Sequence, residues 1–287
     1  MKRNILKYAL TITFFVGIAL LLYPFISDYI NSRHQSNIVQ NYQETANNLS
    51  DAKKEELLAK AADYNNRLAQ TKGAFFDPEL VSGYEDTLDI TGTGIMGYLT
   101  IDKIHLELPI YHSVDSNVLQ IAVGHLPGTS LPVGGSGNHI VLSGHRGLPR
   151  AKLFSDLDKM EVGDIFTITV LSEVFTYQVE ETKTVEPYEV DDLQLVPNHD
   201  LCTLFTCTPY GINTQRLFVR GKRIQNDQAA ERRIFYKNEA YRVTPAIVAP
   251  AIGIPVLLIL YILLLISDFK KKRKLRNNIS NHDKNNS

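Results

Sequence analysis

Thr203-Leu204-Phe205-Thr206-Cys207-Thr208-Pro209-Tyr210, with Arg216 following in Asn213-Thr214-Gln215-Arg216, is the stretch on which the reading of this chain turns. β-Branched and aromatic residues run up to Cys207 and stop at Pro209, so the cysteine stands at the end of a strand. Arg216 opens a second run, Arg216-Leu217-Phe218-Val219-Arg220, where alternation puts Arg216, Phe218 and Arg220 on one face. A hairpin through Pro209–Asn213 would make the two runs neighbours. Upstream, the buried strand Ile140-Val141-Leu142-Ser143 ends at Gly144-His145-Arg146-Gly147. Strand ends joined to loops are common positions for reacting groups. A thiol, an imidazole and a guanidinium placed there suit acyl transfer through a thioester, as nucleophile, acid/base and anion stabiliser.

A free thiol has a pKa near 8.5 and is mostly protonated at neutral pH, so it needs a base or a cation beside it. Of the 8 histidines, His145 has the best context, between glycines at a strand end. His125, in Gly124-His125-Leu126-Pro127-Gly128, is its rival, and His139 reads as exposed or structural. The 2 cysteines, Cys202 and Cys207, lie five residues apart. In a strand that is roughly 16 Å, with the side chains on opposite faces. A disulfide needs Cα atoms within about 7 Å, so none is expected. Cys202 reads as a small buried hydrophobe.

Two stretches, Tyr8 to Ile26 and Val243 to Ser267, carry no charge and are dominated by aliphatic residues. Each is long enough to cross a hydrocarbon core of roughly 30 Å as a helix. A cleaved signal peptide is the other reading of the first, but no small-x-small site follows it. A buried core helix is the other reading of the second, which has no polar face. Lys2, Arg3 and Lys7 precede the first stretch, and Lys270, Lys271, Lys272, Arg273, Lys274 and Arg276 follow the second. Positive flanks stay cytoplasmic, so both termini are expected inside and everything between them outside. The basic tail reads as a topology anchor with some attraction to anionic lipid. A net charge of -1 points to no nucleic-acid partner.

Residues Asn31 to Gln70 contain neither Gly nor Pro, and Leu57, Ala61, Tyr64 and Leu68 recur at helical spacing. Helices are expected over 35–47 and 51–70, the second capped by Ser50 or Asp51, with the stripe packed on the main domain. Gly, Pro and Asp then punctuate a long loop from Phe75 to Gly94. Beyond it come strand candidates Met96–Ile101, Leu106–Tyr111, His139–Ser143, Ile165–Leu171, Val174–Glu180, Thr182–Val185, Leu201–Thr206 and Gln215–Ile224. Short helical pieces are expected at Val118–Ala122 and Pro149–Leu157. So many short strands argue for a mainly β barrel or sandwich. No zinc-ligand spacing or EF-hand loop occurs, and no metal or cofactor is expected. Asp191-Asp192 and Glu180-Glu181 read as solvated acidic loops or part of a weak calcium site.

The motifs carry a family resemblance. Gly124-His125-Leu126-Pro127-Gly128-Thr129-Ser130-Leu131-Pro132-Val133-Gly134-Gly135, Val141-Leu142-Ser143-Gly144-His145-Arg146-Gly147-Leu148-Pro149 and Thr203 through Leu217 resemble segments of the class C sortases. These are pilin-polymerising cysteine transpeptidases of Gram-positive bacteria. The resemblance implies an eight-stranded sortase-type β-barrel with short helices, a helical extension and two transmembrane helices. It implies Cys207 as nucleophile, His145 as acid/base and Arg216 as stabiliser. The implied substrates are pilin subunits or surface proteins with LPxTG-like sorting signals. These would be cleaved after Thr and passed to a lysine amine, with the signal read near Val185–Asp200 and Pro209–Thr214. Wall anchoring through a peptidoglycan-precursor amine and a non-catalytic binding scaffold are the alternatives. Gln215 stands where the family often has a histidine that is not the catalytic one.

Class C sortases usually carry a lid before the barrel, with an Asp-Pro-aromatic motif over the active site. Here the matching stretch is Phe75-Phe76-Asp77-Pro78-Glu79, with Glu79 where an aromatic is expected. The expectation is that Asp77 pairs with Arg216 beside Pro78, with Phe76 or Phe75 supplying the ring; an ordinary Asp-Pro turn is the alternative. The implied organisation is a cytoplasmic N-terminus (1–7), a membrane helix (8–27), an extracellular helical extension (28–72) and a lid loop (73–94). The catalytic barrel (95–225), a linker (226–242), a second membrane helix (243–267) and a basic cytoplasmic tail (268–287) follow.

Overall fold

The computed structural model describes residues 2–148, 151–226, 253–259, 261, 262, 266 and 270, without the side chains of 2–7 and 10. The chain divides into two compact units, Met1–Ile26 with Ala240–Ser287, and Ser27–Glu239.

In the first unit, the N-terminal part of helix α1 (Lys2–Asn47) stacks its Phe14 ring on Tyr261 at 4.6 Å. Among the described residues, one helix is long and apolar enough to cross a membrane, Thr11–Asn47. Of the expected span 243–267, residues 253–259, 261, 262 and 266 are helical. Its remainder, the linker beyond residue 226 and the tail apart from residue 270 lie outside the described residues. The membrane helix and the first helix of the extension, expected as separate, are one element. Nothing between Asp28 and His34 is a helix breaker, and Pro24 sits inside α1 without ending it.

In the second unit, α1 and α2 (Asp51–Gln70) pack on a barrel. Ser50 caps α2, its hydroxyl accepting from the Lys53 N–H, and the expected stripe is buried at Ala61, Tyr64 and Leu68. Asn65 locks it in place by accepting from Leu131 N at 2.7 Å and donating to Leu131 O at 3.1 Å. From α1, the buried Tyr42 hydroxyl donates to Met96 O and accepts from Leu171 N, both at 3.0 Å. Buried polar groups matched this way avoid a desolvation cost of about 1–3 kcal/mol each.

The strands are β1 (Ile95–Ile101), β2 (Leu106–Tyr111), β3 (Val123–His125), β4 (Asn138–Ser143), β5 (Ile165–Val170), β6 (Glu173–Val185), β7 (Asp200–Thr208) and β8 (Gln215–Ile224). They close a barrel in the order β1-β2-β3-β4-β7-β8-β6-β5. Pairs β2–β3 and β4–β7 are parallel and the rest antiparallel. The strand number is the expected one, but the strands are not the same eight. The two runs 174–180 and 182–185 form one strand, β6, with an irregularity between Val179 and Glu181. A bulge shifts the alternation and looks like a break in sequence. β3 was not expected: three residues including Gly124 show no alternation. The pieces read as helical at Val118–Ala122 and Pro149–Leu157 are a short α3 (Ser116–Leu119) and a 3₁₀ helix (Leu153–Lys159).

Leu99, Ile101, Leu142, Phe166, Ile168, Tyr177, Cys202, Leu204 and Val219 form part of the main core. A second cluster is built on strand residues that alternate with these, Val141, Val185 and Phe218, together with Leu193 of the 3₁₀ turn Asp191–Leu193, and is joined by Phe75, Leu126, Val190 and Phe205. It lies on the outer wall of β4, β7, β8 and β6, and this wall carries the site.

Candidate active site

The β7–β8 ladder sets Cys207 opposite Arg216 and Phe205 opposite Phe218. Because strand side chains alternate, Cys207, Phe205, Arg216 and Phe218 share the outer wall, while Cys202 points into the core. Both cysteines are free, Cys202 fully buried and Cys207 half-buried. Burial holds the Cys202 thiol well above the ordinary range, which makes it inert. Cys207 instead lies beside an apolar floor where the Phe205 and Phe218 rings meet edge-on at 6.0 Å.

β4 runs parallel to β7, with Ser143 opposite Phe205. Past the end of β4 the register is held by Gly144 N donating to Phe205 O (3.2 Å) and Thr206 Oγ1 donating to Gly144 O (2.7 Å). Continued two residues, the same register would set position 145 opposite Cys207, on the side away from Arg216. A Cβ at position 144 would come within 2.7 Å of the Phe154 ring and force that ring to shift. Phe154 N in turn donates to His145 O at 3.1 Å. His145 is half-buried, and desolvation lowers its pKa below 6.5. The Arg216 guanidinium donates to Gln215 O at 3.0 Å and Asn213 O at 3.4 Å. Gln215 reaches Glu186 at 2.9 Å, tying the β7–β8 hairpin to the loop after β6.

His125 and His139 are structural in their contacts. His125 is wholly buried; its Nε2 lies 2.8 Å from Ser130 O and its Nδ1 3.0 Å from the Tyr84 hydroxyl. A carbonyl only accepts, so Nε2 carries the proton and Nδ1 accepts. Desolvation pushes the His125 pKa down to about 4. His139 is also buried, between Gln194 O and the Thr203 hydroxyl at 2.8 Å each. The acidic pairs are engaged as well: Glu180 and Glu181 both bind Arg220, and Asp192 binds Lys183. Among the described residues, no group of His, Cys, Asp or Glu converges as a metal site.

The segment read as a lid has two parts. Ala74, Val81 and Leu88 are buried, and Tyr84 sits over His125 with Ser113 N donating to its hydroxyl at 3.1 Å. Between these anchors, Phe76, Asp77, Glu79 and Leu80 are exposed and Pro78 opens a 3₁₀ turn. Phe75 packs into the outer-wall cluster, whereas Phe76 is 71% exposed and meets Phe75 edge-on at 5.0 Å. The expected Asp77–Arg216 ion pair is not made; that guanidinium is held by backbone carbonyls. Two participants went unread in the sequence. Tyr84 shows only as one aromatic in a polar loop, and Arg146 appeared merely as a neighbour of His145.

A closed eight-stranded barrel with a cysteine, a histidine and an arginine at adjoining strand ends defines a class of cysteine acyltransferase. A family model for the sortase domain matches residues 99–224. Sortase D of Bacillus subtilis is 30% identical over 182 residues, 58% of this chain and 88% of that protein. The solved structure of sortase C1 from Streptococcus agalactiae is 43% identical with a TM-score of 0.61, covering 67% of this chain and 100% of that one. That of Streptococcus pneumoniae sortase C is 41% identical with a TM-score of 0.61, covering 66% and 97%. The chain belongs to the sortase family, in its class C branch, and is a cysteine transpeptidase.

Proposed function

We propose that this enzyme cleaves an LPxTG-like sorting signal after Thr, holds the acyl group as a thioester on Cys207 and transfers it to a lysine amine of a pilin subunit. The observation that carries this reading is the pairing of Cys207 with Arg216 across β7 and β8, beside the parallel β4–β7 pair whose last partner, Ser143, lies two residues before His145. In the first half-reaction His145 takes the proton of the Cys207 thiol as the sulfur attacks the Thr carbonyl carbon, and Arg216 stabilises the oxyanion that develops. The C–N bond to Gly then breaks, with His145 giving its proton to the leaving amine. In the second, neutral His145 takes a proton from the incoming lysine amine, the new amide forms and the thiolate leaves. A lowered His145 pKa makes the imidazolium a better acid in the first half and leaves a ready base for the second.

Sortase C of Streptococcus pneumoniae is described in terms of pilin substrate specificity, which supports a pilin acceptor here. The apolar outer wall suits the Leu-Pro part of the signal, and Tyr188, Tyr210 and Ile212, in the loops after β6 and β7, are exposed. Phe75 is the ring that covers the wall, and the exposed 76–80 stretch is the part of the lid that lifts with it. We place the enzyme in the cell membrane with two spans, 8–27 and 243–267, both termini cytoplasmic and the barrel outside, on the charge pattern of the flanks.

The test offers the full-length enzyme a sorting-signal peptide together with a lysine-bearing pilin domain or a peptidoglycan-precursor amine. An isopeptide product on the pilin lysine is expected. A product on the precursor amine alone would make this a wall-anchoring enzyme, and peptide bound without turnover would make it a scaffold.

A further inference from the structure

We propose that Arg146 is a positioning residue: it fixes the end of β4 against the end of β7 from the face opposite the reacting groups, and so holds His145 in register with Cys207. This rests on the reading of Cys207 and His145 as the reacting pair. β4 ends at Ser143, and among the described residues no backbone bond beyond Gly144 ties its continuation to β7. Alternation makes Arg146 and Thr208 partners beneath His145 and Cys207, and there Arg146 NH1 donates to Thr208 Oγ1 at 3.2 Å. The same guanidinium binds Asp158 at 2.6 Å through NH2, and its carbon lies 5.8 Å from the Tyr210 ring centre. Tyr210 in turn covers Gly147, where a Cβ would come within 3.3 Å of the ring. One side chain thus joins the His145 turn, the 3₁₀ helix Leu153–Lys159 and the β7–β8 hairpin.

The arrangement is costly. The Arg146 side chain is 7% exposed, and its buried Nε has no hydrogen-bond partner among the described residues. Asp158 is 48% exposed, and an ion pair with one partner in water adds about 1 kcal/mol or less, so stability alone does not account for the arrangement. What a planar fork supplies that a methylene chain cannot is fixed geometry at both prongs. Misplacing a reacting group by about 1 Å can cost about 10²-fold in rate.

The experiment follows alkylation of the Cys207 thiol against pH in the full-length protein, which needs no knowledge of the sorting signal; buried Cys202 does not compete. Wild type, Arg146→Ala, Arg146→Lys, Thr208→Val and His145→Ala are compared. The wild-type profile is the reference, and His145→Ala gives the shift that loss of the imidazole causes. Arg146→Ala is expected to move the inflection toward that of His145→Ala, Arg146→Lys to restore it in part, and Thr208→Val to shift it less. Sorting-peptide turnover, where present, should fall at least tenfold in kcat for Arg146→Ala with KM within about twofold. An Arg146→Ala profile that overlays wild type overturns the proposal. If that variant does not fold, Thr208→Val decides, and an unshifted profile there overturns it. A His145→Ala profile identical to wild type removes the pair and the proposal with it. Absent peptide turnover beside a shifted Arg146→Ala profile counts only against the assigned substrate.

Discussion

The ends of β3 and β4 lie side by side in the barrel, and each presents a histidine after a glycine. At the end of β3, His125 is wholly buried, its tautomer fixed by Ser130 O and the Tyr84 hydroxyl, and its pKa is pushed down to about 4. At the end of β4, His145 is half-buried, and its ring makes no hydrogen bond among the described residues. Acid–base work requires an imidazole that can be charged and uncharged in turn, and only the second can. The difference comes from what covers each turn. Tyr84 closes the first, whereas the second is left half-buried.

Removing the working histidine should separate the two most strongly. His145→Ala is expected to slow acyl-enzyme formation by about 10²- to 10⁴-fold with little change in melting temperature. A stopped-flow acylation assay beside a thermal melt checks both. The structural histidine should reveal itself through stability. Its folded pKa of about 4 lies below its ordinary 6.5, so as pH falls the unfolded chain takes up the proton first. The stabilisation is full above pH 6.5, shrinks as pH falls and is lost by about pH 4, for a total of about 3 kcal/mol. Urea unfolding across that window should show this loss, and a His125→Gln variant should show a shallower slope. Tyr84→Phe should cost about 1–3 kcal/mol, since Ser113 N and His125 Nδ1 lose their partner. Its acylation rate should stay within about twofold of wild type. The smallest contrast lies in the lid: Phe75→Ala should speed thiol alkylation several-fold, while Phe76→Ala, removing an exposed ring, should leave it unchanged.

The same contrast marks how far the sequence could be read. Cys207 and Arg216 stood out because they end and begin neighbouring strand runs, which the β7–β8 ladder pairs, whereas His145 was singled out over His125 by the resemblance of its motif. His125 and His145 could not be separated by local context, because the difference is made by Tyr84, 41 residues away from His125. β3 was invisible because it is short and borrows its order from its neighbours, and β6 looked like two strands because a bulge breaks its period. The lid read as one long loop, yet Val81, Tyr84 and Leu88 anchor most of it, and spacing does not reveal which aromatic faces inward. The choice of Phe75 over Phe76 is made by tertiary packing against Val141, Phe205 and Phe218.

The central claim is that Cys207 carries the acyl group, and the intact mass of the full-length enzyme after brief exposure to an LPxTG-like peptide tests it most directly. The account predicts an adduct equal to the peptide acyl fragment ending at Thr, absent in Cys207→Ala and discharged by added amine. An adduct of the same mass in Cys207→Ala, or peptide cleavage that persists in that variant, would contradict it.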